Sequence, residues 1–120
     1  MIVLSCTCFF ICARAEKVFD FSSTCQQAYQ QITSLKLNNG AQLVNQARRE
    51  NPNNLIPEML DGYIDFYTLF FNEDPKEYEL RMRHFDKRLE KMEEGAHNSP
   101  FYNYCRTVLY MQKACVEIKF

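Results

Sequence analysis

The sequence predicts an all-α protein of about five helices arranged as antiparallel pairs. Three observations carry that expectation. Apolar residues recur at helical spacing along most of the chain, polar breaks rich in Asn, Gly and Pro separate the periodic stretches, and those stretches resemble one another at a fixed offset. With 120 residues the chain can bury one modest core, so a single domain is expected.

Residues 1–15 stand apart from this pattern. "MIVLSCTCFFIC" is an uncharged apolar run too short to span a bilayer as a helix. It leads into Ala13-Arg14-Ala15, a small-x-small cleavage pattern, with Glu16 following. We read 1–15 as a signal peptide cut after Ala15 and 16–120 as the helical domain. The stretch opens Met-Ile-Val where such a signal should carry Lys or Arg, which points to a true start codon upstream of Met1. Two alternatives stay open: a buried N-terminal strand, and a lipoprotein acylated on Cys6 or Cys12. Export makes the chain periplasmic or cell-surface.

The first helix follows "DFSST", where Ser22, Ser23 or Thr24 can cap it and Ala28, Ile32 and Leu35 fall at helical spacing. It is expected to end at "LNNG", since Asn38, Asn39 and Gly40 tolerate the left-handed conformation that closes a helix. The second runs from about Ala41 to Glu50 on Leu43, Val44 and Ala47, and stops ahead of Pro52. The third runs from about Pro57 to Phe71, with proline in its first turn. It is apolar on most of its surface, which places it at the centre of the domain.

The fourth helix, about Pro75 to Glu94, is the clearest amphipathic segment. Tyr78, Met82, Phe85, Leu89 and Met92 form its stripe, and the pairs Glu77/Arg81 and Glu79/Arg83 are oppositely charged at i, i+4. After Gly95 and Pro100 the fifth begins near Phe101. It carries two stripes, one of Phe101, Tyr104, Cys105, Val108, Cys115 and Ile118, the other of Tyr102, Leu109, Val116 and Phe120. The second stripe asks for a neighbour, either helices beyond Phe120 in a longer protein or a second copy of the chain, and is the candidate partner surface.

At an offset of 34 residues Ala28 falls on Gly62, Tyr29 on Tyr63, Ile32 on Phe66, Leu35 on Leu69 and Asn38 on Asn72. Residues 21–54 resemble a tetratricopeptide (TPR) unit. Ala28 stands at the small position of its first helix, Gly40 at the small position opening the second, Val44 and Ala47 at packing positions, and Pro52 closes the unit in "NPNN". The resemblance is weaker from Leu55 to about Phe85, where Asp74 and Arg81 replace small residues, and absent beyond. The whole mature chain is similar to the N-terminal segment of exported bacterial TPR-like proteins whose helices continue further. The resemblance implies a TPR-like solenoid that acts by protein–protein interaction.

Little in the sequence points to chemistry. The net charge of −1 and the interleaving of acids within "RMRHFDKRLEK" argue against nucleic acid as partner. His84 and His97 fit no metal-ligand spacing, and no glycine-rich phosphate loop is present. Cys105 with His97 is the one nucleophile–base pair that can be drawn, without a motif for an orienting third group. We therefore expect no catalytic residue, no metal and no cofactor. Cys25, Cys105 and Cys115 remain after the signal, an odd number read as small apolar core residues, with one bridge left open. The aromatic run "GYIDFYTLFF" reads first as core. The alternative is a groove of Tyr63 and Tyr67 with Asp61 and Asp65 as polar contacts, as in a glycan- or nutrient-binding surface lipoprotein.

Overall fold

The computed structural model describes residues 16–120, so the signal-peptide reading of 1–15 and Cys6, Cys8 and Cys12 lie outside the described residues. Five helices follow one another: α1 Ser23–Thr33, α2 Leu37–Glu50, α3 Ile56–Phe71, α4 Pro75–Met92 and α5 Pro100–Lys119. Local chemistry starts three of them. The Ser22 side chain accepts from the Cys25 N–H, Asp74 from the Lys76 N–H and Ser99 from the Phe101 N–H, each satisfying an amide that the first helical turn leaves unpaired.

The first break falls earlier than the sequence suggests. α1 ends at Thr33, and the turn is made by Ser34, Leu35 and Lys36, with Leu35 at a φ of 61°. The Leu35 and Lys36 amides donate back to the Ile32 and Gln31 carbonyls, both at 2.9 Å. Asn38, Asn39 and Gly40 belong instead to the first turn of α2. Gly40 is needed there for packing, because a Cβ at this position would lie 2.3 Å from Ile32 Cγ1. The offset of 34 therefore relates Ala28 to Gly62 well but fails at its end, since Leu35 is exposed in a turn while Leu69 is buried inside α3.

Each helix packs on the next in sequence. In addition α1 touches α3, and α3 touches α5. α3 contacts all four other helices, the central position expected of its apolar surface. The core brings together Ile32, Val44, Leu60, Phe85, Met92 and Leu109. Each such side chain contributes about 1.5–3 kcal/mol by leaving water. Gly62 lets α3 and α5 approach, for its Cβ would meet Leu109 Cδ2 at 2.6 Å.

The segment ahead of α1 is extended and ties two breaks together. The Val18 N–H donates to the Asn53 carbonyl at 2.9 Å and the Leu55 N–H to the Val18 carbonyl at 2.8 Å. The Asn54 side chain then closes on Asp20, accepting from its N–H at 3.0 Å and donating to its carbonyl at 2.6 Å. Phe19 fills the space over Gly95, leaving no room for a Cβ there. The "NPNN" break is thus a clasp for the extended segment ahead of α1 as well as a turn between α2 and α3.

α5 corrects two expectations. Tyr102, Leu109 and Val116 are buried, so three of the four residues of the proposed partner stripe are already covered, while Phe120 stacks on Tyr78 of α4 at 4.6 Å and stays 43% exposed. The buried seam is Tyr102, Cys105, Leu109, Gln112 and Val116, at steps of three and four. A glutamine in its middle disguised it. From the other stripe Tyr104, Cys115 and Ile118 are exposed, Ile118 at 87%. Cys115 is therefore no core residue, whereas Cys25 and Cys105 are buried, and all three thiols are unpaired.

Candidate functional site

The helices that contact one another through α3, namely α1, α3 and α5, share a surface built from rings. At its start Phe21, just ahead of α1, meets Tyr29 edge-on at 6.1 Å and Phe101 of α5 at 6.3 Å. Tyr29 meets Tyr63 edge-on at 5.7 Å, joining α1 to α3. From there Tyr63, Tyr67 and Phe71 succeed one another at i, i+4, i+8 along α3, with near-parallel rings 6.3 and 6.4 Å apart. Phe66 and Phe70 flank this row, Phe66 lying 5.3 Å from Tyr67. Exposure rises along it: Tyr63 and Tyr67 are half-buried, and Phe71 is 65% exposed.

Phe21, Tyr29, Met59, Phe101 and Tyr104 enclose a cleft of about 160 Å³ at the start of the row. Burial, with the Tyr104 and Tyr29 phenols nearby, holds the Tyr63 hydroxyl well above its ordinary pKa. It stays protonated through the physiological range, with Tyr104 as a hydrogen-bond partner.

The face carries little charge because of how the sequence distributes it. α1 has no charged residue at all, and its exposed Gln26, Gln30 and Thr33 are neutral. The acidic residues of α3 all turn to the other side. Asp65, 3% exposed, accepts from Arg88 at 2.6 Å and from Arg81, with His84 Nδ1 3.2 Å away. Asp61 pairs with Arg48 at 2.5 Å, and Glu58 lies 3.3 Å from Arg48 and 3.0 Å from Lys91. Burial alone would raise the Glu58 carboxyl, but the Lys91 and Arg48 cations outweigh it and hold its pKa below the usual value. On α5, Arg106 pairs with Glu93 and Lys113 with Asp86, both toward α4. Lys119 approaches the rings at the far end, its ammonium 4.8 Å from the Phe70 centroid, and exposed Asp20 adjoins Phe21 at the near end.

The residues grouped from the sequence as one groove therefore part company. Tyr63 and Tyr67 lie on the aromatic face, while Asp61 and Asp65, two positions away and so roughly 200° round the helix, are occupied in ion pairs with α2 and α4. Phe21, Tyr29, Phe101 and Tyr104 complete the face and were not recognised as part of it. The available signal was the absence of charge from α1. Cys105 and His97 differ in setting: the thiol is buried, which pushes it up to about 12, whereas His97 is exposed and stacks on Tyr102 at 4.2 Å. At neutral pH such a thiol is protonated and a poor nucleophile. Among the described residues no three His, Cys, Asp or Glu side chains are grouped to hold a metal ion, and no helix is long and apolar enough to cross a membrane. No protein-family model, curated protein or solved structure matches the chain.

Proposed function

We propose that this chain is an exported helical-repeat scaffold, stacked in the TPR-like manner, that acts by protein–protein interaction through the aromatic face of α1, α3 and α5. The observation that carries the reading is the row of partly exposed rings from Phe21 to Phe71, with the α3 carboxylates Glu58, Asp61 and Asp65 all paired on the other side of that helix. Aromatic side chains supply much of the energy at protein interfaces, and monomeric proteins rarely expose contiguous apolar surface without use. The contacts of α1 with α3 and of α3 with α5 support a stack whose odd-numbered helices share one surface, as in solenoids that bind partners on one side. Export rests on the apolar stretch and Ala13-Arg14-Ala15, and a non-catalytic role on the burial of Cys105, while His97 is exposed and stacked on Tyr102.

The same rings and neutral amides suit the alternative, a helical part of a glycan- or nutrient-binding surface lipoprotein. Selection from a displayed random-peptide library against the folded protein separates the two. Peptides whose binding is lost in Tyr67→Ala and Phe71→Ala support the protein-interaction reading. Failure to select any peptide, together with binding of neutral oligosaccharides that needs the same two rings, contradicts it and favours the alternative.

A further inference from the structure

On the charged side of α3 the carboxylates are all paired, but the cations are not all used. His84, Lys87, Arg88 and Lys91 fall at i, i+3, i+4 and i+7 along α4, which puts them on one face of that helix. With Glu58 of α3 they line a cavity of about 210 Å³. Lys87, Arg88 and Lys91 against Glu58 leave the lining at +2 without counting His84. The ions directly behind it, Arg48 and Arg81 against Asp61 and Asp65, cancel, and Glu77, which also holds Arg81, stands two turns back along α4.

The cavity is more than a pair of surface lysines. Arg88 is only 9% exposed, and its Nη1 donates to Asp65 at 2.6 Å. Among the described residues its other N–H groups have no acceptor, and none of them is sealed from water. They therefore open on the cavity in the planar fork that suits an oxyanion. Asp65 also accepts from His84 Nδ1 at 3.2 Å, which leaves Nε2 as the ring nitrogen available to the cavity. Lys87 is exposed and has no ion-pair or hydrogen-bond partner among the described residues, whereas Lys91 reaches Glu58 at 3.0 Å.

We infer that this cavity between α3 and α4 binds a phosphate dianion, free or as a monoester, held by the Arg88 fork and the Lys87 and Lys91 ammonium groups. Charge complementarity selects that ligand. A phosphate monoester brings a charge near −2 and three acceptor oxygens, one for each cation of the lining. A monocarboxylate or a phosphodiester brings a single charge and leaves one cation unmatched. The site lies across α3 from the aromatic rings, so it stands or falls apart from the role of that face.

NMR titration of the labelled protein with inorganic phosphate at about pH 8, where it is a dianion, tests the inference. Acetate at matched ionic strength is the comparison, and exposed His97 is the internal control. Saturable shifts of the His84 ring, Lys87 and Arg88 are expected with phosphate and not with acetate, weakening as salt is raised. Lys87→Gln, at an exposed position without a partner, should keep the fold and weaken binding about fivefold. A phosphoserine peptide identifies the source: binding no tighter than phosphate itself marks a free phosphate, and tighter binding that needs Lys87 marks a phosphorylated chain, either of which supports the inference. Absence of saturation with phosphate and peptide alike overturns it. So does acetate binding as tightly, His97 shifting as far as His84, or a Lys87→Gln variant that binds as before.

Discussion

On one side of α3 the rings of Tyr63, Tyr67 and Phe71 lie open beside α1 and α5, while on the other Glu58, Asp61 and Asp65 are each closed by cations from α2 and α4. Both sides depart from a plain apolar core, but in opposite senses. The charged side is complete: every carboxylate has its partner, and the ion pairs fix how α2 and α4 sit on the central helix. The aromatic side has partly exposed hydrophobic area, rising to Phe71 at 65%, that the described fold leaves uncovered. Internal pairing marks a structural role, and unspent binding capacity marks the surface that meets something else.

The largest test of this contrast is Asp65→Ala. It strands Arg88, whose side chain is only 10% exposed, and one of the two partners of Arg81, so stability should fall by about 3–5 kcal/mol in urea unfolding. The better solvated Asp61→Ala should cost less than about 1 kcal/mol. If the two were equal, the charged side would not be the structural one.

Gln112 sits between α3 and α5 with its amide 1% exposed and neither amide atom hydrogen-bonded. Replacing it by Met keeps the volume and removes the unsatisfied groups, and should raise stability by about 1–2 kcal/mol. A loss would mean that the amide has a role in the α3–α5 contact which its geometry does not reveal.

Acid should act on the charged side through Glu58. The Glu58 pKa is depressed in the folded protein, so its contribution is present above the unfolded value of about 4.3 and is lost as pH falls through the lower folded value. Unfolding measured from neutral to acid pH should show a loss of stability below about pH 4.3 that is smaller in Glu58→Gln. Smallest of all should be Phe71→Ala, which changes stability by no more than about 0.5 kcal/mol while weakening partner binding.

Much of the scaffold was legible because its signals are local. The cap expected among Ser22, Ser23 and Thr24, the proline of the first turn of α3 and the stripe of α4 each act within a turn or two of their own position. The first break was misplaced because Leu35, a residue that pays a steric cost in the left-handed region, closes α1 while the permissive Asn-Asn-Gly is used inside α2. The seam of α5 was hidden by the polar Gln112. Asp65 was misread because its partners Arg81 and Arg88 are 16 and 23 residues away, beyond any i, i+4 pattern. The aromatic face likewise joins Phe21, Tyr29, Tyr63 and Phe101 from three helices and the segment ahead of them, a grouping that only packing creates.

Chemical-shift mapping by NMR, with a library-selected peptide titrated into the labelled protein, tests the central claim most directly. The account predicts perturbations centred on Tyr29, Tyr63, Tyr67 and Phe71, with Arg48, Lys87 and Lys91 unmoved. Perturbations centred on the charged flank of α2 and α4, with the rings silent, would contradict it.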